Sequence, residues 1–280
     1  MESRNLNPVM KPKLGILAGG GELPRRIAEI CAKENRPYHI LAIEGQADAK
    51  ELSGHPVVWC RLGAAAKAIK FMRRYEVQEV VMAGPVERPS LAAIRPDIKA
   101  LKVITTAGAR AFGDDGILRA VIDVIEEEGA KVVGIDSILP NLRPAVGQLG
   151  DHSPNDDARR DIERGVQVLG ALSALDVGQA VVVQQGMVLG IEAAEGTDKL
   201  IQRTGKLMGA GSKGVLIKLP KQGQEERVDL PTIGPKTIDL AAKAGLAGIA
   251  LKAAGALVID NEETVRRSNV AGIFIFALDL

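Results

Sequence analysis

The first half of the chain alternates short, near-continuous apolar runs with amphipathic stretches, and this alternation leaves few folds open. The runs are Leu14–Ala18, His39–Ile43, Val57–Arg61, Val80–Ala83 and Val132–Ile135. Between them, Arg25–Lys33, Ala65–Tyr75 and Gly116–Glu128 carry apolar positions at helical spacing. Strands this apolar, joined by helices, predict a parallel, doubly wound α/β sheet. Ligands on such sheets sit beyond the carboxyl ends of the strands. Here that edge carries Gly19-Gly20-Gly21, Gly84-Pro85 and Asp114-Asp115.

The composition shifts between Leu139 and Pro154, where prolines and glycines replace sustained apolar positions. That stretch reads as a linker. The expected organisation is a disordered leader over 1–12, a Rossmann-like domain over 13–138, a linker over 139–154 and a mixed α/β domain over 155–280. The second half opens with a helix from about Asn155 to Leu172, followed by a hairpin-like pair, Ala180–Gln184 and Met187–Ile191. Short strands are expected at Gly248–Leu251, Leu257–Ile259 and Ile273–Leu278. A chain of 280 residues is long enough for two cores.

Charge and composition exclude several function classes. With 36 basic and 35 acidic residues, net charge +1, no global field attracts nucleic acid. Aromatic residues make up 2 %, too few for base-stacking platforms. No apolar run approaches the roughly 20 residues of a membrane span. Cys31 and Cys60 form no CxxC pair and no secretory signal is evident, which together fit a reduced, cytoplasmic compartment.

Two segments of the second half carry the chemistry. Arg227-Val228-Asp229-Leu230-Pro231-Thr232-Ile233-Gly234 lies between an apolar run and a helical pattern. It puts a carboxylate, a rigid turn, a hydroxyl and a glycine at a helix entrance, where outward N–H groups bind anions. Asp229 could take a proton from water or hold a metal, or simply cap a turn. Glu192, Glu195 and Asp198 lie on a strand end and the loop after it. Oxygen-only sets of this kind suit Mg2+ or Mn2+, although helix capping by Thr197 or Asp198 and a solvated turn would give the same pattern. Lys218 and Lys221 flank Pro220 and could neutralise a phosphate.

In the first half, Gly19-Gly20-Gly21-Glu22-Leu23-Pro24 opens a helix but puts Pro24 where the dinucleotide fingerprint needs its third glycine. Backbone N–H groups of Gly19, Gly20 and Gly21 could still hold a phosphate; a ligand-free tight turn is the alternative. One of Asp114 and Asp115 is explained by N-capping. His39, His55 and His152 have no partners at metal spacing, and no GxSxG elbow occurs.

Taken in order, Lys13 to Pro24, Gly113-Asp114-Asp115, Glu195-Gly196-Thr197-Asp198 and the Arg227–Gly234 octet resemble one family. It is the UDP-2,3-diacylglucosamine pyrophosphatases of the LpxI type, enzymes of lipid A biosynthesis in Gram-negative bacteria. The similarity runs from about Lys13 to Leu278, and the octet is its specific part. The resemblance implies a cytoplasmic, Mg2+- or Mn2+-dependent hydrolase with two α/β domains and a UDP-diacylglucosamine-type lipid substrate. Asp229 matches the family's catalytic aspartate, and one substrate would engage both halves of the chain. Peripheral contact with the inner membrane and a homodimer are both compatible with it; nucleic acid is not implied. A nucleotide-binding regulatory module and an NAD-linked oxidoreductase are the rival readings.

Overall fold

The computed structural model describes residues 11–86, 96–107, 114–139 and 141–280. The proposed leader over 1–12 lies largely outside them, as does Gly113. The chain divides into two compact units, Met1–Leu139 and Pro140–Leu280.

The first unit runs β1 (Leu14–Ala18), α1 (Leu23–Lys33), β2 (Tyr38–Ile43), β3 (Val57–Cys60), α2 (Ala65–Arg74), β4 (Glu79–Ala83), α3 (Ile98–Ala107), α4 (Asp114–Glu127) and β5 (Lys131–Val132). Its five strands are parallel, in the order β3-β2-β1-β4-β5. Leu14, Ile16, Ile40 and Val81 are wholly buried, which is why these strands lack polar alternation. Ile27, Ala28 and Cys31 form the buried stripe of α1, and Pro24 sits in its first turn, where a missing N–H costs nothing. Sheet order reverses between β1 and β4, the position where doubly wound folds form a crevice. The last expected strand stops at Val132, because Ile135–Ser137 turn into a short 3-10 helix.

The second unit runs β6 (Gly147–Leu149), α5 (Asp156–Ser173), β7 (Ala180–Gln184), β8 (Met187–Ile191), α6 (Thr197–Gly205), β9 (Val215–Lys218), β10 (Thr232–Ile233), α7 (Pro235–Ala244), β11 (Gly248–Lys252), β12 (Leu257–Val258), α8 (Asn261–Ala271) and β13 (Phe274–Leu278). Six strands form a mixed sheet, β6-β13-β11-β9-β7-β8, with β9, β11 and β13 parallel. Successive side chains on a strand face opposite sides, so each strand feeds two cores. Val182, Leu216, Ile249 and Ile275 share one core with Leu200 and Ile238 from α6 and α7. Val181, Val183, Val215 and Ile217 share the other with Ala158, Ile162 and Leu169 of α5. That helix is capped by Asn155, whose Oδ1 accepts the Ala158 N–H at 2.9 Å. Gly165 lets α5 close on the sheet, since a Cβ there would lie 2.6 Å from the Ile217 side chain.

The expected linker over 139–154 is corrected by these contacts. Leu142 O accepts the Val258 N–H at 2.8 Å and Pro144 O accepts that of Ala254 at 3.1 Å. Gly147–Leu149 then pair antiparallel with β13, and the Asp151 N–H donates to Asn269 Oδ1 at 2.9 Å. From Asn141 onward the segment is part of the second unit. Its prolines and glycines mark tight turns in an ordered path.

Candidate active site

Strands β8 and β9 run the same way, because both are antiparallel to β7. Their carboxyl ends bring Glu192 and Lys218 to one edge of the sheet, the edge where open α/β sheets bind ligands. Lys218 is the last residue of β9 and is only 6 % exposed. Its Nζ donates to Thr232 O at 3.0 Å. Burial pushes the ammonium below its ordinary value, while the charges of Glu192, Asp198 and Asp229 act in the opposite direction. Both acidic segments thus converge on one buried cation.

Two glutamines join those segments. The Gln179 N–H donates to Glu192 Oε2 at 3.2 Å, and Thr197 Oγ1 donates to Glu192 Oε1 at 2.7 Å. Gln224 Nε2 lies 3.4 Å from Gln179 Oε1 and donates to Asp229 Oδ2. Gln224 and Glu192 are buried and Asp229 is half-buried. One hydrogen-bonded series therefore runs from the end of β8 to the octet. A carboxylate held by a fixed amide can accept a proton from water, and a buried ammonium within reach of its charge can offset phosphate charge. Sequence reasoning missed Gln179 and Gln224. A lone glutamine carries no spacing signal; only proximity to the octet could have flagged Gln224.

Several expected roles change. Asp229 does not stand at a helix entrance: β10 intervenes, and α7 is entered at Gly234, an extended N-cap residue whose O accepts the Thr237 N–H at 2.9 Å. Thr232 uses its hydroxyl to donate to Leu230 O at 2.9 Å and its carbonyl to hold Lys218. Lys221 is ion-paired with Asp176 at 2.5 Å, so it is already neutralised. The N-cap of α6 is Gly196, which leaves the Thr197 hydroxyl free to bind Glu192.

The expected Mg2+ or Mn2+ set does not fit. Glu195 is bound by Arg203 at 2.8 Å, and hydrogen bonds from backbone and from Arg203 hold its carboxyl below the usual range. Asp198 pairs with Lys236 at 2.7 Å, and both oxygens of Glu192 already have donors. Among the described residues no three His, Cys, Asp or Glu side chains converge to hold a cation. Each carboxylate has its own partner instead of sharing an ion.

The glycine turn of the first unit is also used internally. Gly19 N–H donates to Ala83 O and Gly20 N–H to Pro85 O, both at 2.8 Å. Two of the three expected phosphate donors are therefore already taken. The turns after β1 and β4 are locked together: a Cβ on Gly84 (φ +86) would lie 2.1 Å from Gly20 O, and one on Gly19 would lie 2.5 Å from Pro85 O. Such packing fits a tight turn better than an NAD fingerprint. His55 Nδ1 bonds Tyr38 Oη at 2.7 Å and His152 Nε2 meets Asn269 O at 3.0 Å, both structural contacts.

Comparison with known proteins agrees with the octet. The family model of the LpxI N-terminal domain matches residues 13–142, and that of the LpxI C-terminal domain matches residues 145–276. The UDP-2,3-diacylglucosamine pyrophosphatase LpxI of Caulobacter vibrioides is 38 % identical over 274 residues, covering 95 % of this chain and 98 % of that protein. Solved structures resemble the chain far less. The CobK precorrin-6A reductase is 10 % identical with a TM-score of 0.34, over 96 % of this chain and 89 % of its own. The glycinamide-RNase-transformylase T of Mycobacterium tuberculosis is 13 % identical with a TM-score of 0.26, over 63 % and 42 %. Likenesses that weak carry no argument. Two domain matches in sequence and a relative aligned over nearly its full length agree: the chain belongs to the LpxI family.

Proposed function

We propose that this hydrolase splits the pyrophosphate of UDP-2,3-diacylglucosamine into 2,3-diacylglucosamine 1-phosphate and UMP, a step of lipid A biosynthesis, in the cytoplasm at the inner membrane. The observation that carries the reading is the 38 % identity to the named pyrophosphatase across both units. A pyrophosphate diester resists water because its own negative charge repels a nucleophile, so catalysis needs countercharge and a proton acceptor. Lys218 supplies the countercharge and Asp229 the acceptor. Water oxygen bonds to one phosphorus as the bridging P–O bond breaks, and the proton of the water passes to Asp229. Thr232 and the α7 entrance at Gly234 flank the phosphates.

A requirement for Mg2+ or Mn2+ belongs to the proposal, with no protein ligand assigned to the ion. The test is release of UMP by the purified chain from detergent-dispersed UDP-2,3-diacylglucosamine. No release would sink the reading, and equal turnover of UDP-N-acetylglucosamine would remove the lipid specificity. The NAD-linked alternative predicts thermal stabilisation by NADH in place of UMP.

A further inference from the structure

We propose that the face built by α2 and α3 docks the chain on an anionic phospholipid surface. One carboxylate assembles that face. Asp97 Oδ2 accepts the Ala66 N–H at 2.9 Å and Asp97 Oδ1 accepts the Ala100 N–H at 2.8 Å, so a single side chain caps both helices and sets them side by side. Between them lies an open groove of about 460 Å³ lined by Ala66, Ile69, Lys70, Arg73, Arg74 and Lys99. The outer face of α2 exposes Lys67, Lys70, Arg73 and Arg74, and no acidic residue occurs in Ala65–Arg74. Arg73 is paired with Glu128 at 2.7 Å and Arg74 lies over the Tyr75 ring. Lys67, Lys70 and Lys99 have no ion pair among the described residues. With Arg73 paired, Lys67, Lys70, Arg74 and Lys99 remain as four clustered cations in a chain of net charge +1.

Beside them α3 turns two large aliphatic side chains into water. Ile98 is 87 % exposed and Leu101, one turn on, is 51 % exposed. Cations next to exposed aliphatics are the pattern of an interfacial helix, whose apolar side chains enter the acyl boundary while the charges meet anionic headgroups. A nucleic acid or a free phosphate would use the cations and leave Ile98 and Leu101 unexplained. A bilayer uses both. The inference rests on the proposed reading in one respect: a diacylated substrate gives the chain a reason to visit a membrane.

The test is co-sedimentation of the full chain with vesicles of phosphatidylglycerol and phosphatidylethanolamine, against vesicles of phosphatidylcholine. The parent chain should partition onto the anionic vesicles and release in high salt. At roughly fivefold per cation, Lys70→Gln/Arg74→Gln/Lys99→Gln should weaken partitioning by about a hundredfold. Ile98→Ser/Leu101→Ser should weaken it by about tenfold with the charges intact. The exposed Lys206→Gln/Lys213→Gln/Lys243→Gln, in the second unit, should bind as the parent does. Equal partitioning on both vesicle types, or parent-like binding by the first triple variant, would overturn the proposal. So would competition by inorganic phosphate alone at equal strength in both vesicle sets. Hydrolysis of detergent-dispersed substrate is measured alongside: its failure in the parent, with vesicle binding intact, would remove the enzymatic reading and leave the surface standing.

Discussion

Replacing Lys218 by Met separates the charge of the site from its packing. Methionine keeps most of the aliphatic stem, so the buried volume around β9 changes little. Two electrostatic effects then oppose each other. The substitution deletes the charge-assisted bond to Thr232 O, worth about 1.5–3 kcal/mol, and leaves that carbonyl without its partner. It also relieves the burial of an ammonium that is 6 % exposed, and replacing buried ions by apolar groups is often neutral. The net cost to stability should stay within about 2 kcal/mol, a melting shift of roughly 4–8 °C for a unit of this size. Turnover should fall far more, at least about a hundredfold, because nothing else named at that edge offsets phosphate charge from a buried position. The assay pairs thermal melting with UMP release at saturating substrate. Turnover within threefold of the parent would refute the countercharge role, and a collapsed melting transition would reduce Lys218 to a structural residue. The pH dependence gives an independent check. Between its lowered folded value and its ordinary value of 10.5, the unfolded chain binds more protons at Lys218 than the folded chain does. In the parent this group therefore makes stability rise with pH across that window, and the rise should be absent in Lys218→Met.

Three further outcomes are expected. Asp229→Ala should abolish turnover while costing about 1 kcal/mol of stability, since it removes one acceptor from Gln224; a loss of activity explained wholly by unfolding would count against a role in proton transfer. Excess EDTA should stop UMP release, and undiminished turnover there would remove the divalent-cation requirement. Gly84→Ala should destabilise the first unit by about 2 kcal/mol or more, because the added methyl meets Gly20 O at a left-handed backbone position; an unchanged melting curve would show that the two turns can separate freely.

Strands buried on both faces were the most legible part of the fold. Leu14–Ala18 and Ala180–Gln184 fall where their apolar runs do, because local composition alone decides them. The path from Asn141 to His152 was illegible for the opposite reason. Its strand exists only through pairing with β13, more than a hundred residues away, and Pro/Gly content records the turns but not the partner. The site shows the same division. Sequence singled out Asp229, Glu192 and Lys218, and the structure brings their charges together. It could not foresee that Arg203 and Lys236 would each claim a carboxylate, since spacing along a chain reports neighbouring acids and not the cations that fold against them. Nor could it foresee that the glycine turn would bond to Ala83 and Pro85, a contact that depends on β1 and β4 lying side by side.

The pairing of β6 with β13 also fixes when the second unit can be finished. Its first strand and its last are neighbours at one rim of the sheet, so a chain growing from its amino end makes β6 early and then holds it without a mate until Phe274–Leu278 have been synthesised. Until then the parallel strands β9 and β11 can gather around β7, but the rim stays open. An unpaired rim of this kind is a template for wrong pairing between chains. A message truncated shortly before Phe274 would thus yield a nascent unit with β11 bare on one side, and a start at Asn155 would leave β13 bare instead. Completion of this half of the molecule is a late event, set by the arrival of Phe274–Leu278 and not by the order in which its helices form.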